Sequence, residues 1–136
     1  MDIKSLLVTR LDGPKDSDAS ELLNPNWFDI EAAIRRLDGH ACTLVCLGIG
    51  EAPVPHMSVG GGGDCKYIVY ATPDNTTFYN LINPQAPEGK FLLKAGGQFG
   101  EYDLKMCVGL DSALQAARMY AENGQPDPGL TWETQN

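Results

Sequence analysis

Along residues 56–72, HMSVGGGGDCKYIVYAT, apolar and polar positions change places every second residue on either side of a glycine run. Met57 and Val59 alternate with Ser58, and Tyr67, Val69 and Ala71 alternate with Ile68, Tyr70 and Thr72. This period of two predicts a β-hairpin whose turn is Gly60, Gly61, Gly62 and Gly63 followed by Asp64, where positive φ carries no steric penalty. The second strand is apolar on both faces, as expected in the middle of a covered sheet. It is the predicted core.

Upstream, loose alternation through Ile3, Leu6 and Val8 predicts a strand over 1–11, placed towards a sheet edge. Residues 12–25 are polar and acidic with two prolines, which predicts a surface loop. Asn24 and Pro25 suit an N-cap and a first helical position. Trp27, Ile30, Ile34 and Leu37 then place one apolar stripe on a helix that ends at Gly39. The nearly all-apolar ACTLVCLGI (41–49) reads as a buried strand beside the hairpin, and 50–55 as a proline turn.

Further along, 73–76 is a turn, 77–82 a strand, 83–89 an open loop and 91–94 a short strand. Gly96, Gly97 and Gly100 make the segment to Tyr102 mobile or tightly turned. KMCVGL (105–110) reads as a last strand. Asp111 is the expected N-cap of a helix over 112–123, which packs through Ala113, Leu114, Ala117, Tyr120 and Ala121 and stops at Gly124. Trp132 is expected to fold back over an edge of the core. Together these elements predict one α+β domain spanning 1–136: a mainly antiparallel sheet of five to seven strands with two helices packed against it.

Composition supports one globular domain, with 43% hydrophobic and 21% charged residues in 136. Eighteen acidic against ten basic residues give a net charge of −8, which repels phosphates and favours a basic protein partner over nucleic acid. No apolar run reaches membrane-spanning length and the start does not resemble a signal peptide, so the expected location is the cytoplasm. Cys42, Cys46, Cys65 and Cys107 form no C-x-x-C pair, and their spacing with His40 and His56 is poor for zinc. They are expected to be thiols packed as small core residues.

Local motifs for catalysis are weak. The glycine run leads into a strand rather than a helix, which favours a structural hairpin over a phosphate loop. His40 and His56 have no nucleophile at a motif spacing. Glu101 and Asp103 would share one face of a strand, as solvated carboxylates rather than an acid–base pair. Phe78, Tyr79, Phe99 and Tyr102 lack the interleaved Lys and Arg of a nucleic-acid platform. What remains is a set of acids on turn-rich loops: Asp64, Asp74, Glu88, Glu101 and Asp103. A binding surface is the favoured function. A small-ligand or regulatory domain, and a small hydrolase or transferase using His56 or Asp64 with a neighbouring group, are the alternatives.

The segments NPNWFDIEAAIRRLDG, MSVGGGGDCKYIVY, AGGQFGEYDLKMCVGLDSALQAARMYAENG and PGLTW, in that order, resemble the first numbered family of immunity proteins of bacterial polymorphic toxin systems, the type found beside deaminase toxins. The resemblance implies a cytoplasmic, non-enzymatic protein without cofactor or metal that neutralises a cognate toxin. That toxin would be a basic, nucleic-acid-directed deaminase or nuclease whose active site or substrate cleft is blocked. It carries over no catalytic residues. Trp27, the glycines 60–63 and Trp132 are the matching positions, with structural roles. Asp74, Glu88, Glu101 and Asp103, with Phe99 and Tyr102 as apolar anchors, are the candidate toxin-contacting residues.

Overall fold

The computed structural model describes residues 3, 5–10, 18–49 and 55–135. Nine strands and two helices form an α+β fold. The strands are β1 (Ser5–Arg10), β2 (Asp18–Leu23), β3 (Cys42–Gly48), β4 (His56–Gly61), β5 (Tyr67–Thr72), β6 (Phe78–Ile82), β7 (Lys90–Ala95), β8 (Gln98–Asp103) and β9 (Thr131–Gln135). The helices are α1 (Trp27–Arg35) and α2 (Leu110–Asn123). Seven strands make one antiparallel sheet in the order β2-β1-β3-β4-β5-β6-β9, and β7 with β8 forms a separate ribbon.

Several expectations are corrected. Within 12–25, the stretch Asp18–Leu23 is the edge strand β2, paired residue by residue with β1, so β1 lies inside the sheet. Alternation was hidden there because an edge strand tolerates polar residues on both faces. The rest of that acidic stretch, 11–17, lies outside the described residues, as does most of the 50–55 turn. Helix α1 is capped by Asn26 rather than Asn24: Asp29 N–H donates to Asn26 Oδ1 and Asn26 N–H donates to Asp29 Oδ2, both at 2.9 Å. This reciprocal pair satisfies two otherwise orphaned donors. Gly109 takes the N-cap of α2, and Asp111 sits in its first turn. Residues 98–103 are strand β8, and 104–106 form a single helical turn where the last strand was expected. Only Val108 of that stretch bridges the sheet, to Tyr67.

The hairpin β4–β5 sits in the sheet as its alternation predicts, with Val59 opposite Val69 and Met57 opposite Ala71. These side chains, with Val45 and Leu47 from β3, face the helices and join Ile30, Ile34, Ala113, Ala117 and Tyr120 in one buried cluster. Gly60 and Gly61 belong to β4 rather than to the turn. The turn itself begins at Gly62, with φ of 101°.

Gly62 and Gly63 pack backbone to backbone against the connection that follows α1. A Cβ at Gly62 would lie 2.4 Å from the Leu37 carbonyl oxygen, and one at Gly39 would lie 2.5 Å from the Gly63 nitrogen. No side chain fits either place. Gly63, by contrast, has only Gly39 Cα nearby, at 3.8 Å. Gly62→Ala should therefore destabilise the fold by about 2 kcal/mol or more, through backbone strain and the clash together. Gly63→Ala should stay within about 0.5 kcal/mol of wild type; urea unfolding of the two variants checks the contrast.

Candidate functional site: the β7–β8 ribbon and its neighbours

Ribbon residues divide by strand alternation. Lys90 opposes Asp103, Leu92 opposes Glu101 and Lys94 opposes Phe99 on one face. Phe91, Leu93 and Ala95 on β7, with Tyr102, Gly100 and Gln98 on β8, make the other. The second face lies against the sheet: Leu93 is buried, and Cβ atoms added at Gly61 and Gly60 would meet Leu93 and Ala95. The first face looks outward. It carries two large exposed apolar side chains, Leu92 at 58% and Phe99 at 68% exposure, on a diagonal between charged neighbours.

This arrangement groups some of the expected contact residues and separates others. Phe99, Glu101 and Asp103 share the outer face, as alternation requires. Glu88 lies beside them, lining with Asp103 and Lys105 an open depression of about 360 Å³. Tyr102 points the other way, its ring lying over Gly100 and opposite Phe91. Asp74 sits far from the ribbon. It lies in the turn after Thr72, at the His56 end of the strands, while the ribbon spans the Gly60 end.

Two features were missed from sequence. Leu92 is one of two adjacent leucines, and a strand must turn one of any adjacent pair outward; that signal was present in FLLKA. The second is charge matching. Lys90 and Lys94 alternate with Leu92 on the same face as Glu101 and Asp103, and Lys94 Nζ lies 5.6 Å from the centre of the Phe99 ring. The outer face is thus an apolar pair with a mixed rim rather than a purely acidic patch.

Of the positions expected to be structural, Trp27 begins α1 half-buried, with the Arg118 guanidinium 5.3 Å from its ring centre. Trp132 packs against the core from β9, and its indole N–H donates to the Asp127 carbonyl at 2.9 Å. Buried Asp127 fixes that connection, accepting from Gly129 N–H and Gln115 Nε2.

Perturbed groups do not converge on a reactive centre among the described residues. Burial pushes the Tyr120 phenol up to about 12, and its hydroxyl is the one buried side-chain polar atom there without a partner, but it lies in the core beneath α2. Cys46 is raised by burial, against a hydrogen bond with Ser58 at 3.1 Å. His56 and Asp64 stand at opposite ends of the hairpin. No cluster of three or more His, Cys, Asp or Glu side chains is placed to hold a metal among the described residues. No described helix is long and apolar enough to cross a membrane.

The described residues thus form an α+β domain with helices over one sheet face and a two-stranded ribbon over one end of the other. The chain belongs to the immunity protein Imm1 family, whose model matches residues 18–134. Membership implies binding to a cognate toxin. No curated protein matches the chain.

Asp74 is held by its own turn. Its Oδ1 accepts from Thr77 N–H at 2.8 Å and Thr76 N–H at 2.9 Å, and these bonds hold the carboxyl below its ordinary range. A depressed carboxylate stabilises the fold above its unfolded value of 3.8 and loses that contribution as pH falls through the folded value. Asp74→Asn should therefore be less stable than wild type at neutral pH, and the gap should close as the pH falls below about 4. Urea titrations across that range measure it.

Proposed function

We propose that this chain neutralises a toxin made by its own cell or by sibling cells, by seating on the toxin's active site or basic substrate cleft. The toxin is a nucleic-acid-directed deaminase or nuclease; the immunity protein is a cytoplasmic binding protein that needs neither cofactor nor metal. The match to the Imm1 family over residues 18–134 carries this reading. The net charge of −8 supports it, because a cleft built for polyanions is cationic and attracts an acidic protein over a Debye length of about 8 Å at physiological salt.

The ribbon supplies the contact we favour. Phe99 and its diagonal neighbour Leu92 form the apolar centre, with Glu88, Glu101 and Asp103 as the acidic side of the rim. Such a centre with a charged border is the anatomy of an interface whose binding energy rests on few residues. Asp74, at the far end of the sheet, and Tyr102, on the ribbon's inner face, fit better as the fastening of a turn and of the ribbon.

Phe99→Ala should weaken toxin binding by about 2 kcal/mol, chiefly through faster dissociation. Changing Glu101 and Asp103 together to Lys should slow association, most at low salt. Survival of cells producing the toxin encoded beside this chain, with stopped-flow kinetics on the purified pair, reads both. Full protection by a variant that combines Phe99→Ala with both lysine changes would remove the ribbon from the interface.

A further inference from the structure

The ribbon shares no strand pairing with the seven-stranded sheet, so other contacts must set where it stands. At its turn Gly96 and Gly97 both take positive φ, 62° and 82°, a backbone that side chains rarely adopt. This turns two consecutive N–H groups towards β3. Gly97 N–H donates to Thr43 Oγ1 at 2.9 Å, and Gly96 N–H donates to the Thr43 carbonyl at 3.3 Å. Among the described residues these two hydrogen bonds fasten the turn to the sheet, and both end on one residue.

Thr43 is available for this because β3 bulges there. Thr9 pairs with Leu44 and Arg10 with Cys42, so the ladder to β1 skips Thr43, and the ladder to β4 begins one residue on, at Leu44 opposite Gly60. A bulged residue leaves the ladder and re-aims its side chain. Strict alternation would send Thr43 with Val45 and Leu47 towards the helices; its hydroxyl instead meets the ribbon's turn. Thr43 is fully buried, so water does not readily replace the lost partner if that oxygen is removed. The contacts nearby are of another kind. A Cβ added at Gly60 would lie 2.9 Å from Ala95 Cβ, and one at Gly61 would lie 3.4 Å from Leu93. Apolar packing of this sort holds the ribbon close to the sheet but is non-directional, whereas the two hydrogen bonds fix an angle.

We propose that Thr43 is a positioning residue for toxin binding: without touching the toxin, it fixes the pose of the ribbon and so the placement of Leu92 and Phe99. The inference rests on the ribbon being the contact surface and extends that reading into the core. A ribbon released at its turn samples several poses, of which only a fraction suits the toxin, and the apparent Kd rises as the inverse of that fraction. Held by Thr43, the ribbon meets its partner already ordered, and binding loses less to the ordering of the surface.

The test sets two variants of the full-length protein against the toxin domain encoded beside this chain: Thr43→Val, which keeps the shape and removes the acceptor oxygen, and Thr43→Ser, which keeps the oxygen. Thr43→Val should raise Kd about tenfold, chiefly through slower association, and should speed amide exchange across 90–103 while Val59 and Val69 stay protected. Thr43→Ser should stay within about threefold of wild type on both measures. A single glycine inserted between Gly96 and Gly97 displaces the turn and leaves β3 unaltered, so it should reproduce the loss even if Thr43→Val does not fold. A merely structural threonine would lower thermal stability and leave Kd and ribbon exchange where they are. If the foldable variants among Thr43→Val and the insertion bind within about twofold of wild type, or exchange in the ribbon is unchanged, Thr43 does not position it. Phe99→Ala, measured alongside, separates the readings: if it binds like wild type, the ribbon is not the contact surface, and this inference falls while the immunity reading stands. If the wild-type chain neither binds nor protects, both fall.

Discussion

The close approach of two backbones at Gly62–Gly63 and Leu37–Gly39 fixes how the rest of the molecule is assembled. One segment ends the central hairpin's first strand; the other leads out of α1 into β3. A Cβ at Gly62 or at Gly39 would overlap main chain rather than a yielding side-chain tip. The contact therefore requires glycine at those two positions, and it seats α1 at a set height over the sheet. Asp38 secures the same corner by accepting from the N–H groups of His40, Ala41 and Cys42. Partial burial opposes its charge, and these hydrogen bonds outweigh that, leaving the carboxyl below its usual range.

With α1 placed, the helix-facing side of the sheet closes completely. Val45, Val59, Ile30, Ile34, Ala113 and Ala117 are buried, and the alanines let α2 come close. Two helices cover one face of the seven-stranded sheet, and among the described residues the β7–β8 ribbon packs over one end of the other. The helix-covered face holds the fold together.

This arrangement also changes how the acidity of the chain is understood. A net charge of −8 suggests carboxylates spread over loops. In the folded molecule some carboxylates are engaged in the structure: Asp29 in a capping box, Asp38 and Asp74 in turns, and Asp127 under the last strand. Others on the ribbon face lysines. On the ribbon, cross-strand register decides which carboxylate meets a cation.

Period-two alternation, the 3-4-3 stripe of α1 and the alanine-rich face of α2 were legible in the chain, because each is a property of neighbours in sequence. They sufficed for the α+β architecture, the buried centre of the hairpin and the shared face of Glu101 and Asp103. Strand β2 was not legible, since an edge strand buries too little to impose a pattern. Nor was the start of β8, whose glycines read as a turn until β7 was there to pair with. The opposite fates of Phe99 and Tyr102 and the distance of Asp74 from the ribbon were settled only by strand order and register. Those are relations between residues far apart in the chain, and no local spacing encodes them.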